Sequence, residues 1–180
     1  MKKVIVFLFV LFSAVEVWSQ IPQVLFYGYI EEGVFEDEDA VATSKRKKTK
    51  KLSDVTVYVY IGDSLQSTQK ARETGFYASL LNSGNIYRIV FEKNGYFCKC
   101  FELDCRNVAY PSDDMAIKCL TDVTLFKKVD DADLLNLCKI PFAKAVFNSS
   151  QNNLIWDMDY TARIKEKFFA LAQPYYLAEK

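Results

Sequence analysis

The chain has 180 residues, its 23 lysines and arginines equal its 23 aspartates and glutamates in number, and it contains no histidine. This length holds one domain with its own core and an extension, but not two full domains. The charge balance excludes general nucleic-acid binding. The lack of histidine excludes Ser–His and Cys–His hydrolase mechanisms and removes the commonest metal ligand, so we expect no cofactor and no metal.

The first 19 residues are a predicted secretory signal peptide. Two lysines precede an apolar run from Val4 to Val15, and Val17 and Ser19 suit cleavage before Gln20. The run is shorter than the roughly 20 residues that cross a bilayer. No cysteine lies near the cleavage point, so a lipid anchor is not available. We expect a mature protein that is periplasmic or secreted, has no transmembrane segment and is not a lipoprotein.

The mature chain opens with a predicted strand, Gln23–Ile30, in which Gly28 indicates a bulge or a close backbone approach. Residues 31–51 are acidic first and basic afterwards, which predicts a flexible charged loop. This loop is either solvated and self-neutralising or a contact for an anionic partner. The candidate contacts are Lys45, Arg46, Lys47 and Lys48.

Alternating residues then predict the strands of a sandwich. Between Asp54 and Ile61, valines mark a core face, and Tyr58 and Tyr60 mark the opposite face. Short strands with no intervening helix favour an antiparallel sandwich. Further strands are predicted after Gly75, over Ile86–Phe91, over Tyr96–Asp104 and, as the last long strand, over Met115–Phe126.

The spacing of turn and core residues over residues 23–126 carries a family resemblance. Its elements are Leu52-x-Asp54-Val55-x-Val57, Gly75-x-Tyr77-x-Ser79-x-Leu81 and Tyr87-x-Ile89-x-Phe91-x-Lys93-x-Gly95-Tyr96. This pattern resembles the carboxypeptidase regulatory-like domains, relatives of the transthyretin-like and Cna protein B-type sandwiches. The resemblance implies a mainly β, seven-stranded antiparallel Ig-like sandwich without catalytic activity, as found in secreted bacterial envelope proteins. Ala71 and Asn82 depart from the family's threonine and turn proline.

The five cysteines lie in a chain predicted to be exported, where disulfides are permitted. Their spacing does not form a zinc signature. Because the count is odd, at least one thiol is left over. We predict a disulfide between Cys105 and Cys119, across the loop that joins two adjacent strands.

The C-terminal segment, residues 129–180, is a predicted extension of a sandwich domain that spans residues 20–128. A short helical piece or turn over Asp130–Leu137, with Asp133 as its cap, precedes a β-hairpin. Asp157 then caps a helix from Met158 to about Ala172, which Pro174 ends. The aromatic residues of this helix either pack on the sandwich or dock on a partner. The candidates for docking are Phe169, Tyr175 and Tyr176.

These features predict a non-catalytic envelope binding or assembly accessory protein that acts by protein–protein recognition. One alternative is a carbohydrate-binding module that uses Tyr58 and Tyr60 as stacking platforms. A more distant alternative is a histidine-independent hydrolase, which would require paired carboxylates that converge in a cleft. The expected partner is therefore an envelope protein or a glycan.

Overall fold

The computed structural model describes residues 21–33, 50–109, 116–137 and 139–177. Within these ranges the chain forms ten strands and two helices. In chain order they are β1 (Gln23–Glu32), β2 (Thr56–Ile61), β3 (Ser64–Lys70), β4 (Phe76–Asn82), β5 (Ile86–Glu92), β6 (Lys99–Asp104), β7 (Ile117–Leu120), β8 (Val123–Leu125), α1 (Ala132–Leu137), β9 (Ala143–Asn148), β10 (Asn153–Trp156) and α2 (Met158–Leu177).

The strands form two sheets. The smaller sheet has the order β4-β1-β7, with β8 also paired to β1, and the larger sheet has the order β10-β9-β6-β5-β2-β3. The side chains that face inward from both sheets form one main core, which includes Phe26, Val57, Ile89 and Leu103. The predicted mainly β sandwich with a C-terminal hairpin and helix is confirmed.

Both sheets are mixed, whereas the sequence predicted seven antiparallel strands. Strand β1 runs parallel to β7 and β8, and β6 runs parallel to β9. The parallel pairs arise because the chain crosses to the other sheet after β6 and returns after β8. The strand count also rises because the hairpin strands β9 and β10 extend the larger sheet beyond β6.

The alternating pattern places the predicted core residues correctly. Val55, Val57 and Val59 are buried, and Tyr77, Ser79 and Leu81 are buried on β4. On β5, Tyr87, Ile89 and Phe91 point into the main core. Strand β3 was not predicted from sequence, because its residues, SLQSTQK, are mostly polar and lie exposed at the edge of the larger sheet.

Gly28 lies against the turn that divides the predicted last long strand into β7 and β8. A side chain at Gly28 would overlap the carbonyl group of Thr121, which lies between these two strands. The Thr121 N–H donates to the carbonyl oxygen of Tyr27 at 2.8 Å, and its own carbonyl accepts the Tyr77 hydroxyl at 2.6 Å. The predicted close backbone approach at Gly28 is therefore confirmed.

The helices differ from prediction at their ends. The Asp157 carboxylate accepts the Tyr160 N–H at 2.8 Å, which confirms the predicted cap of α2. For α1 the cap is Asp131, which accepts the Leu134 N–H at 2.8 Å, so the prediction of Asp133 was wrong. Helix α2 continues through Pro174 to Leu177. Neither described helix combines the length and apolar character that a membrane-spanning segment requires.

A second core lies between the helices and the sandwich. Its buried members are Phe97, Phe126, Leu134, Phe168 and Ala172. Because residues of β-sandwich loops and of both helices share this core, α1 and α2 are packed against the sandwich through buried apolar side chains.

Candidate functional site

The outer face of the smaller sheet is apolar. Residues that alternate with the core residues of β1, β4 and β7 point away from the sandwich, and most of them are apolar. We call this surface the apolar face. Its members are Leu25, Tyr27, Tyr29, Phe76, Ala78, Leu80 and Leu120.

The strand register makes the apolar face continuous. Leu25 is paired with Leu80, and Tyr27 lies between Ala78 and Leu120. Leu120 is 61% exposed, Leu80 is 56% exposed and Tyr29 is 40% exposed. Large apolar side chains that are contiguous on a surface mark interaction sites, whereas scattered ones are ordinary.

Cationic side chains flank one end of the apolar face. The Lys51 ammonium lies 4.6 Å from the centroid of the Tyr29 ring, and the Arg72 guanidinium lies 5.3 Å from that of Phe76. The Tyr29 and Phe76 rings meet edge to face at 5.6 Å. These contacts hold the two rings in place. The Lys51 ammonium is also paired with the Glu31 carboxylate, so its charge is balanced locally.

A second concave feature, the inter-sheet cleft, opens between the larger sheet, the β7–β8 turn and the N-terminal half of α2. Its volume is about 210 Å³. Its lining residues are Lys99, Phe101, Thr121, Asp122, Thr124, Phe142, Ala143, Trp156, Met158, Thr161 and Lys165.

Lys99 has an unusual position in this cleft. The antiparallel register of β5 and β6 pairs it with the fully buried Phe91, so its side chain lies on the inner side of the larger sheet. Its ammonium lies 4.0 Å from the centroid of the Phe142 ring. Burial, together with the charge of Lys165, lowers the pKa of Lys99 to about 7.

Asp122 contributes the one carboxylate among the described residues that line the cleft. Its Oδ1 accepts the backbone N–H of Tyr29 at 2.9 Å, so it holds the β7–β8 turn against β1. Paired carboxylates, which a histidine-independent hydrolase would need, do not converge among these lining residues.

Tyr58 and Tyr60 lie half-buried on the outer face of the larger sheet. Their ring centroids are 6.3 Å apart and their planes are tilted by 35°. The Arg88 guanidinium lies 4.7 Å from the centroid of the Tyr60 ring, so one face of that ring is already covered. These tyrosines share no lining position with the inter-sheet cleft.

The aromatic residues predicted for docking at the C terminus have separate environments. Phe169 is 42% exposed and meets Phe126 edge to face at 6.0 Å. The Tyr175 hydroxyl donates to Asp131 Oδ2 at 2.7 Å, so it ties the end of α2 to the start of α1. The side chain of Tyr176 lies outside the described residues.

The remaining predicted site residues fall into two groups. The predicted signal peptide, residues 1–19, lies outside the described residues, as do Lys45, Arg46, Lys47 and Lys48. Cys105 and Cys119 are buried free thiols, so the predicted disulfide is not formed in the structure. Cys105 follows β6 in the larger sheet and Cys119 lies in β7 of the smaller sheet, so they are not on adjacent strands of one sheet.

Sequence reasoning missed both the apolar face and the inter-sheet cleft. The sequence signal for the apolar face was present in Gln23–Ile30, because both alternating sets of this strand are rich in apolar residues. A strand that is apolar on both sides is expected to be covered on both sides. The cleft has no comparable signal, because residues from four separate segments line it.

Comparisons with known proteins find no match to a known family and none to a curated protein sequence. The comparison with solved structures finds partial similarities. The major pilin SpaD from Corynebacterium diphtheriae is 10% identical, with a TM-score of 0.38 over 59% of this chain and 31% of its own. The shaft pilin SpaA from Lactobacillus rhamnosus GG is 13% identical, with a TM-score of 0.38 over 59% of this chain and 51% of its own.

A third similar structure is an enzyme, the 3-chlorocatechol 1,2-dioxygenase from Rhodococcus opacus 1CP. It is 11% identical, with a TM-score of 0.36 over 59% of this chain and 60% of its own. The chain thus spans between about a third and three fifths of the length of these three proteins. At such TM-scores and identities, the similarities assign neither a family nor a function to this chain.

Proposed function

We propose that this chain is a non-catalytic binding or assembly accessory of the cell envelope, and that it recognises another protein through the apolar face. The observation that carries the proposal is the exposure of Leu80, Leu120 and Tyr29 on one continuous sheet surface. Burial of such side chains by a partner is favourable because it removes apolar area from water. Tyr27, between Ala78 and Leu120, would supply a rigid contact of the kind that dominates interface energies.

The proposal includes export and the family resemblance. The charged start, apolar run and cleavage pattern of residues 1–19 support export to the periplasm or the exterior. The turn and core spacing between Leu52 and Tyr96 supports a carboxypeptidase regulatory-like sandwich. In such a protein a rigid sandwich presents its recognition surface, and the Arg72 guanidinium at the end of the apolar face favours a partner with an acidic group at that end.

The experiment compares two double variants of the full chain. Leu80→Lys with Leu120→Lys places two charges in the apolar face. The matched control is Leu65→Lys with Val146→Lys, because both residues are 51% exposed and lie outside this face. Each protein is expressed with its export signal and used for a crosslinking pull-down from its native envelope fraction.

We expect the wild-type chain and the control to capture the same defined envelope protein, and the apolar-face variant to lose it. Two charges at an interface centre are expected to weaken binding by about thirtyfold or more. Both variants should retain stability to within about 0.5 kcal/mol, since exposed substitutions usually have small effects. Equal capture by all three proteins would exclude the apolar face as the recognition surface, and no capture by wild type would refute the proposal.

A further inference from the structure

Lys99 is a cation with an unusual environment inside a β-sandwich. Its side chain lies on the inner side of the larger sheet, half-buried, with the Phe142 ring as its close contact at 4.0 Å. Among the described residues, the ion pairs all involve other lysines and arginines. A half-buried ammonium is usually stabilised by a paired carboxylate, and among the described residues no carboxylate forms an ion pair with Lys99.

Lys165 adds a second amine to the same cleft. It extends from the exposed side of α2. It lies close enough to Lys99 for its charge to disfavour the protonated form of the Lys99 amine. Two cations that face one cavity repel each other, and an anion between them removes the repulsion. The cleft therefore favours binding of an anionic ligand.

The charge balance of the cleft indicates the net charge of the ligand. Lys99 and Lys165 contribute two positive charges, and Asp122 from the β7–β8 turn contributes one negative charge. The net charge with Lys99 protonated is one positive, which a monoanion neutralises. Asp122 is already engaged by the Tyr29 N–H, so it is held at the turn.

The side chains that line the cleft indicate that the rest of the ligand is apolar. Trp156 meets Phe101 edge to face at 5.9 Å, and Phe142 lies beneath the Lys99 ammonium. The side chain of Met158 is 70% exposed at the cleft opening, where it can adapt to a ligand. Aromatic walls with a few polar groups are typical of small-molecule sites.

We propose that the inter-sheet cleft binds a small monocarboxylate with an apolar group. The carboxylate lies between Lys99 and Lys165, and the apolar group packs against Trp156 and Phe142. Thr124 lines the same space, and its hydroxyl group can donate a hydrogen bond to a carboxylate. This site is separate from the apolar face, so the two proposals stand independently.

The test uses 3-phenylpropionate as the probe and 3-phenylpropionamide as its uncharged match, with calorimetric titration of the full chain at pH 6. We expect saturable binding of the acid, and binding of the amide at least tenfold weaker, because a charge-assisted pair is lost. The affinity for the acid should fall as the pH rises from 6 to 9, since Lys99 loses its proton in this range.

Three variants complete the test. Lys99→Met keeps the length of the side chain and should weaken binding of the acid at least tenfold, and Lys165→Gln should also weaken it. Lys167→Gln removes an exposed charge from the same helix and should leave the affinity unchanged. The wild-type comparison of acid with amide does not depend on the folding of any variant.

Equal affinities for acid and amide, or no saturable binding of either, would overturn the proposal. An unchanged affinity in a folded Lys99→Met protein would do the same. The double variant Leu80→Lys with Leu120→Lys should bind the acid normally, because neither residue lines the cleft. Failure of the apolar-face proposal and failure of the cleft proposal are thus distinguishable.

Discussion

The rings of Phe126 and Phe168 lie with their centroids 5.3 Å apart, and this contact joins the end of the sandwich strands to helix α2. Phe168 also meets Phe97 edge to face at 5.9 Å and is only 7% exposed. The helix therefore contributes a core side chain to the domain. Its exposed residues, such as Phe169, lie on the rim of this contact.

Substitution Phe168→Ala should lower the free energy of unfolding by about 3–5 kcal/mol, because it removes a buried aromatic ring and leaves a cavity. The matched control is Phe169→Ala, at the next position of the same helix. We expect a loss of about 1 kcal/mol or less there, since that ring is 42% exposed. Urea unfolding followed by tryptophan fluorescence measures both, and equal losses would contradict the assignment of Phe168 to the core.

The stability of the protein should depend on pH through Lys99. Its pKa is about 7 in the folded chain and 10.5 ordinarily, so between these values the unfolded chain binds more protons. The free energy of unfolding therefore gains a contribution that rises with pH from about 7 to about 10. Relative to wild type, Lys99→Met should be most stabilising at pH 6 and lose this advantage by pH 10. A pH-independent difference between the two proteins would show that Lys99 is ordinarily solvated.

Cys105 and Cys119 should resist chemical modification in the folded chain. Both thiols are buried, and burial raises the pKa of Cys105 to about 12 and also raises that of Cys119. Treatment with iodoacetamide at pH 8, followed by mass spectrometry of peptides, should show both protected until urea unfolds the protein. Rapid labelling of either thiol under native conditions would refute the buried environment. A peptide pair joined through Cys105 and Cys119 would instead establish the disulfide that the sequence predicts.

Substitution Gly28→Ala should destabilise the sandwich by about 1–3 kcal/mol, because the added methyl group must displace the Thr121 backbone. A suitable control is Gly62→Asn. Nothing lies within 4 Å of a side chain at Gly62, and asparagine tolerates the positive φ of 57° found there. Thermal unfolding of both variants checks the prediction, which fails if the two lose equal stability.

The glycan alternative stays a prediction that rests on Tyr58 and Tyr60. If it holds, the double substitution of both residues by alanine should abolish binding to envelope polysaccharide, because stacking supplies most of the contact. Arg88→Ala is an informative companion, since it uncovers the Tyr60 ring and should strengthen stacking. Wild-type protein that binds no polysaccharide on a glycan array would remove this alternative.

Local patterns were sufficient to predict much of the sandwich. The valines of β2 and the alternating residues of β4 and β5 fixed which side chains face the core, because a strand has a period of two. The turns that contain asparagine and glycine predicted where several strands end. Asp157 was predictable as a helix cap because capping depends on neighbouring residues alone.

The features that were missed depend on distant parts of the chain. The parallel pairing of β6 with β9 joins residues about 40 positions apart, and no local pattern reports on it. Pro174 was expected to end α2, yet the helix continues through it. Lys99 reads as an ordinary exposed lysine in the sequence, and only the register with Phe91 places it on the inner side of the sheet.

The parallel pairing of β9 with β6 also bears on how the chain reaches its folded state. Until β9 is available, β6 presents an open row of backbone hydrogen-bonding groups at the edge of the larger sheet. Such an edge is a template for strand addition by a second molecule. A chain cut after Phe126 would therefore be expected to self-associate through β6. The C-terminal hairpin thus covers the β6 edge and makes β10 the edge strand in its place, and it does so only after the rest of the sheet has been synthesised.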